Sequence, residues 1–225
     1  MPRISKDYDI RRQEFLDAAQ ELFYSHGYEQ TSVNMILEKV GVSKGTFYHY
    51  FESKADLLSA LADRISMRNL EYLQPIVDDQ QLTSIEKLNQ YFNRSQGLKT
   101  TNREILKVWL RVMYKDENVL LRHKVQARGM ELIAPQLCKI ITQGVQERVF
   151  DVKHPIQVAQ MILMLASSLG DVTAGLIMDL DDHPENVTAF EPYLDQFENA
   201  IERILGAPRN SIMLADRARL KELFK

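Results

Sequence analysis

The chain has 225 residues, 45% of them hydrophobic and 26% charged, which is ordinary for a soluble protein and long enough for one or two domains with real cores. A lone cysteine, Cys138, excludes an internal disulfide framework and fits a reducing compartment. No unbroken apolar run approaches the length of a membrane span, and the N-terminus carries charges rather than an apolar signal core, so the expected location is the cytoplasm, with no membrane contact.

From about Asp9, the spacing of Phe15, Ala18, Ala19, Leu22 and Phe23 predicts a helix that Gly27 ends, with Tyr28 packing back into a small three-helix core. Thr31 and Ser32 offer caps for the next helix, where Val33, Ile36, Leu37 and Val40 form one apolar stripe. Gly41 breaks that pattern, able to adopt the positive φ of a tight interhelical turn, and Val42 supplies an apolar plug. Ser43 caps a second short helix, on which Phe47 and Phe51 share the inward face.

Ser53 with Asp56 forms a capping-box-like start for a helix of about twenty residues ending near Pro75. No Gly/Ser/Pro linker intervenes, so motion in one half is expected to pass rigidly to the other. Thr83 with Glu86 opens a helix ending near Gly97, and Thr101 with Glu104 opens another, carrying Ile105, Leu106, Trp109, Leu110 and Met113. Asp116–Asn118 interrupts it, and a long helical pattern then runs to about Phe150 with a kink expected at Pro135. Pro155 suits a first helical turn and opens a stretch to about residue 180 that is apolar on more than one face and rich in small residues, which predicts burial on all sides. A last bundle helix is expected from Val187 to Leu205, and an amphipathic segment from Ile212 to Phe224. With no strand-like alternation the fold class is all-α, divided into a helix-turn-helix domain (1–53) and a helical domain (54–225).

Helix, glycine-containing turn, helix is a DNA-binding layout whose second helix enters the major groove. Lys44 and Thr46 can reach base edges, and Tyr48 and His49 can donate to phosphates. Lys44 and Lys54 stand in first helical turns, where a cation opposes the macrodipole and a bound phosphate would reverse the sign. Charge balance asks for a basic face rather than a basic domain, because residues 1–54 hold seven basic and eight acidic side chains. Arg3, Lys6, Arg11, Arg12, Lys44 and Lys54 are the candidates. Residues 1–8 read equally as an arm touching the DNA backbone and as a disordered terminus.

The stretches EFLDAAQELFYSHGYEQTSV (14–33) and GVSKGTFYHYFESKADLL (41–58) resemble the tetracycline-repressor (TetR) family of bacterial transcription regulators, over roughly the first quarter of the chain. The resemblance implies that Asn34, Lys44, Gly45 and Thr46 lie near bases, that Thr31, Ser32, His49 and Lys54 lie near phosphates, and that Tyr48 contacts the backbone. With the capping Ser43 these make up the expected DNA face. It further implies a homodimer joined through residues 155–180 and 187–205 as a four-helix bundle, and an effector cavity inside the C-terminal bundle. Candidate effector-lining residues are Tyr91, Arg94, Trp109, Met113, Tyr114, Arg128, Met161 and Asp171, each also readable as plain core or surface. The first interface helix is also readable as a central core helix.

Other chemistry finds little footing. Gly41 to Gly45 spells the G-x-S-x-G nucleophile elbow, but that elbow must follow a strand. Ser84 and Lys87 match S-x-x-K without its companion motifs. The five histidines show no metal-ligand spacing, and no phosphate-binding glycine loop occurs, so neither enzyme activity, metal nor cofactor is expected. The expected function is a ligand-responsive regulator, a repressor in the first instance, binding a palindromic operator. The alternatives are a protein-interaction module and a helical small-molecule or lipid carrier.

Overall fold

The computed structural model describes residues 3–95, 110, 113–213 and 217, the side chains of 3–7, 94, 95 and 187 excepted. Among them every regular element is helical: α1 (Arg3–His26), α2 (Val33–Val40), α3 (Lys44–Tyr50), α4 (Lys54–Asp78), α5 (Ser84–Ser95), a 3-10 turn (Asp116–Asn118), α6 (Val119–Gln146), α7 (Pro155–Met178) and α8 (Asn186–Leu205). The helix expected to open at Thr101 lies outside the described residues apart from Leu110 and Met113, both buried. Two compact units emerge, Met1–Ser66 with Arg111–Arg128, and Met67–Leu110 with Gly129–Lys225, so the boundary between them falls inside α4 and again inside α6.

In the first unit, α1 begins at Arg3 rather than near Asp9, so the backbone of residues 3–8 is helix and not an extended arm. Tyr8 anchors this early turn by stacking on Tyr50, with ring centroids 4.5 Å apart. Phe15, Ala18, Ala19, Leu22 and Phe23 are all buried, as their spacing requires. Gly41 closes α2 in the left-handed region at φ 75°, its N–H donating to Leu37 O at 2.8 Å.

Residues beyond the helix-turn-helix complete this unit. Asn118 is fully buried: its Oδ1 accepts from Tyr28 N at 3.0 Å and its Nδ2 donates to Phe23 O at 3.1 Å, capping the end of α1 from a position ninety residues away. Gly27 sits under the same turn at φ 90°, where an added Cβ would lie 2.5 Å from Glu117 Cβ. From α4, Arg64 donates to Asp17 at 2.6 Å, Gln13 at 3.2 Å, Gln20 at 2.7 Å and Leu16 O at 3.1 Å, lashing α4 to α1.

The second unit centres on Leu88, Ile141, Ile162, Ile201 and Leu205, all wholly buried. α4 runs past Pro75 to Asp78, longer than expected, because Leu73, Ile76 and Val77 are buried here and Lys87 Nζ caps the end by donating to Val77 O at 2.8 Å. α6 passes through Pro135 and stops at Gln146, where Val149 N and Phe150 N both return to Gly144 O, at 3.0 and 3.1 Å. The chain after α8 turns back onto α5. Asn89 donates to Ser211 O at 3.0 Å and accepts from Met213 N at 2.9 Å, Asn93 donates to Met213 O at 3.1 Å, and Ile212 is buried between them.

α7 departs from expectation. It is long and apolar enough to cross a membrane by length and composition alone, although no unbroken apolar run suggested one, yet only 28% of its most apolar window is buried. Ala159, Ile162 and Leu169 enter the core, while Met161 (52% exposed), Met164 (62%), Leu165 (38%) and Val172 (41%) form an outward row. Burial on all sides is therefore incorrect within one chain, because α8 and the core cover one face of α7 only.

Near the α5 start, Glu147 Oε2 accepts from Ser84 Oγ at 2.6 Å and Ser84 N at 3.0 Å, and Oε1 accepts from Gln143 at 2.7 Å. Burial alone would raise its pKa, but these hydrogen bonds and the Lys87 charge hold it below the ordinary glutamate value. The carboxylate thus stabilises the fold above that ordinary value, and the contribution disappears as pH falls through the lowered one. We expect Glu147→Gln to cost about 1 kcal/mol in urea unfolding at neutral pH, a modest figure for so exposed a group. The difference from wild type should shrink towards acid.

Candidate nucleic-acid interface

A seven-residue helix cannot hold itself together in water, so packing alone decides which way α3 faces. Phe47 is wholly buried and meets Phe15 edge-to-face with centroids 5.6 Å apart, and Phe51 meets the same ring at 5.9 Å. With that face committed, Lys44, Gly45, Tyr48 and His49 are exposed and Thr46 is half-buried. Tyr48 is 51% exposed, and Lys44 Nζ lies 6.0 Å from its ring centroid. His49 is edged by Tyr8 and Tyr50, at 5.8 and 5.1 Å between centroids. Ser43 caps α3 by accepting from Thr46 N at 3.4 Å, so the serine of the G-x-S-x-G string follows a helix and serves as a cap.

Ser32 and Asn34 are exposed at the start of α2, and Ser32 Oγ accepts from Met35 N at 3.2 Å. Two other members of the expected face are placed differently. Thr31 is 0% exposed, its hydroxyl donating to Gly27 O at 2.8 Å and Leu22 O at 3.3 Å, so its side chain closes the end of α1 rather than meeting solvent. Lys54 is half-buried with its ammonium on backbone carbonyls of the α1–α2 loop. The expected basic face is thinner than its composition suggested. Arg11 pairs with Glu14 at 2.5 Å and Arg12 lies 5.4 Å over the Phe51 ring, while the side chains of Arg3 and Lys6 lie outside the described residues. An open groove of about 330 Å³ along α1 and α2 is lined by Arg11, Glu14, Asp17, Ala18, Glu21, Lys39 and Val40, more acid than base and unsuited to phosphate.

The residues expected to line an effector cavity are not brought together. Tyr91 is buried in the second unit with its hydroxyl lacking a hydrogen-bond partner among the described residues, and burial raises its pKa. Met113 is buried in the core of the first unit, Tyr114 packs against that core with Arg122 4.8 Å over its ring, and Arg128 pairs with Asp63 at 2.8 Å in the same unit. Met161 and Asp171 lie exposed on α7, while Trp109 and the Arg94 side chain fall outside the described residues. Among the described residues no three His, Cys, Asp or Glu side chains gather as a metal site would need. Ser84 and Lys87 form no nucleophile–base pair either, since Ser84 donates to Glu147 and Lys87 to Val77 O. Sequence reasoning missed Asn118 and Arg64, for which it offered no local signal.

Residues 15–61 match the description "Bacterial regulatory proteins, tetR family", and residues 100–192 match "Tetracyclin repressor-like, C-terminal domain". Over 72 residues the chain is 40% identical to the HTH-type transcriptional repressor AcnR of Corynebacterium diphtheriae, covering 32% of this chain and 38% of that one, so the match spans little more than a third of that relative. It is 25% identical over 168 residues to the fatty acid metabolism regulator protein of Bacillus subtilis, covering 74% of this chain and 83% of that one. The fold is similar to that of the transcriptional regulator FadR from Bacillus subtilis in complex with stearoyl-CoA, with a TM-score of 0.58 and 23% identity over 82% of this chain and 96% of that one. It is similar too to Escherichia coli NemR in its reduced form, with a TM-score of 0.57 and 18% identity over 88% and 99%.

The placement of Thr31 has a direct consequence. Thr31→Val should lower unfolding stability by about 1–2 kcal/mol, because the Gly27 carbonyl loses its buried donor. Thermal and urea denaturation of the variant beside wild type measure this.

Proposed function

The chain belongs to the TetR family of bacterial transcription regulators, and from that premise we propose that it is a ligand-responsive regulator, a repressor, that binds a palindromic operator as a homodimer. The observation that carries this reading is the outward row Lys44, Tyr48 and His49 on a helix whose other face is clamped by Phe15, Phe47 and Phe51. Ser32, Asn34, Ser43, Gly45 and Thr46 surround that row, and residues 1–53 form the DNA-binding domain in this reading. Its relatives named above are regulators, and the proposed role is binding without catalysis, in the cytoplasm where the DNA lies.

One helix-turn-helix makes few base contacts, each bidentate pair giving about 1–3 kcal/mol of discrimination. Two copies double that and must stand about 34 Å apart to meet successive major grooves. The outward row on α7, Met161, Met164, Leu165 and Val172, supports a second copy as the covering partner, with α8 beside it contributing the exposed Tyr193. Lipid is the weaker occupant, because Ala159, Ile162 and Leu169 of the same helix would have to leave the core before α7 could span a membrane.

The effector we propose is a long-chain acyl-CoA, on the strength of the Bacillus subtilis fatty acid regulator and the stearoyl-CoA complex among its relatives. Of the expected effector contacts Tyr91 keeps the firmest support, since a buried hydroxyl without a partner is a group that a polar ligand atom would satisfy. The effector would act by favouring one spacing of the recognition helices, and only by its difference in affinity for the two spacings. Adding stearoyl-CoA to a protein–operator complex should release the DNA.

Two outcomes test the core of this proposal. Lys44→Ala and Tyr48→Ala should each weaken binding to a duplex recovered by the wild-type protein from a random-sequence pool. Wild-type affinity should fall steeply with salt, with a log–log slope of roughly 0.9 for each phosphate neutralised, whereas a protein-interaction module would show little salt dependence. Met164→Glu, placing a charge in the outward row, should give a folded monomer in analytical ultracentrifugation with operator affinity lost. A wild type that is itself monomeric would overturn the dimer.

A further inference from the structure

Three backbone carbonyls between α1 and α2 converge on one side chain. Lys54, the first residue of α4, donates through Nζ to Tyr28 O at 2.8 Å, to Thr31 O at 3.0 Å and, more loosely, to Glu29 O at 3.4 Å. The same ammonium lies 4.2 Å from the centroid of the Tyr28 ring. An ammonium has three donors and no acceptor, so this arrangement uses its whole capacity within the chain. A cation in the first turn of a helix opposes the macrodipole, and here the negative ends of three peptide groups compensate it where a phosphate had been expected to.

What is tied down matters for recognition. The three carbonyls belong to the residues just before Ser32, which caps the start of α2. Tyr28 is gripped from its other side by Asn118 Oδ1, and the Thr31 hydroxyl is turned inward to Gly27 O, so the loop has few remaining freedoms. Lys54 itself lies three residues after Phe51, the C-cap of α3, and directly after Ser53, whose Oγ accepts from Asp56 N at 3.1 Å at the start of α4. One side chain therefore joins the entry of α2 to the exit of α3.

We propose that Lys54 is a positioning residue for DNA recognition: it fixes the start of α2 and the end of α3 in one frame and makes no phosphate contact of its own. This rests on the reading that α2 and α3 meet DNA. Geometry and charge separate the two roles, because a phosphate accepts an arginine as readily as a lysine. Three carbonyls converging on a tetrahedral ammonium do not suit a planar guanidinium.

The test uses the full-length protein and the same selected duplex, with affinity measured over a range of salt well below the unfolding temperature. Both Lys54→Met and Lys54→Arg should bind about tenfold more weakly than wild type, the loss of hydrogen bonds to a charged group read as affinity. Their salt slopes should equal that of wild type. Wild-type affinity in Lys54→Arg, or a slope reduced by roughly 0.9 in Lys54→Met, would assign a phosphate contact and overturn the proposal. Should Lys54→Met fail to fold, Lys54→Arg and the wild type decide. In wild-type protein with nitrogen-labelled lysine, the Lys54 ammonium signal should be protected from exchange before DNA is added and unmoved afterwards, and a shift on adding duplex would overturn it. Failure to recover any duplex would instead remove the DNA reading itself, and this inference with it.

Discussion

The ring of Phe15 decides the direction in which the recognition helix looks. Two phenylalanines one helical turn apart close on it, and because α3 is too short to persist alone, its orientation is the orientation of that aromatic contact. Burying each ring contributes about 1.5–3 kcal/mol. The polar side chains of α3 acquire their outward placement as the remainder of that packing. Everything else in the first unit, the Arg64 lashing of α1 to α4 and the Asn118 cap on α1, holds the Phe15 ring where α3 needs it.

Much of this was legible from local spacing. The i, i+3, i+4 rows on α1 and α2 named the buried residues, Gly41 and Ser43 marked the turn, and Thr83 with Glu86 marked the start of α5, because each of these signals is complete within a few residues. Glu86 N donates to Thr83 Oγ1 at 3.3 Å and Thr83 N donates to the Glu86 carboxylate at 2.8 Å, the capping box that the spacing announced.

What the sequence concealed depended on distant partners. Lys54 looked like an outward cation at a helix start, and nothing near it in sequence reveals that Tyr28 and Thr31 present their carbonyls to it. Thr31 was legible as a cap residue but not as a buried one, since its acceptors are main-chain oxygens at and just beyond the end of α1. Asn118 acts across ninety positions. On α7 the difficulty was of another kind: a helix apolar on several faces has the same composition whether its own chain or another surface covers it, so Met164 and Ile162 could not be told apart by residue type.

The segment after α8 behaves as a strap and not as a loose end. Asn89 holds residues 211 and 213 through both ends of its amide, and the side chain between them plugs the core beside Leu88 and Leu205. Shortening the polypeptide at Gly206, where the helical bundle looks finished, would therefore uncover an apolar hollow and strand an amide deprived of both its partners. The natural stopping point of the last helix is thus a poor place to trim this molecule.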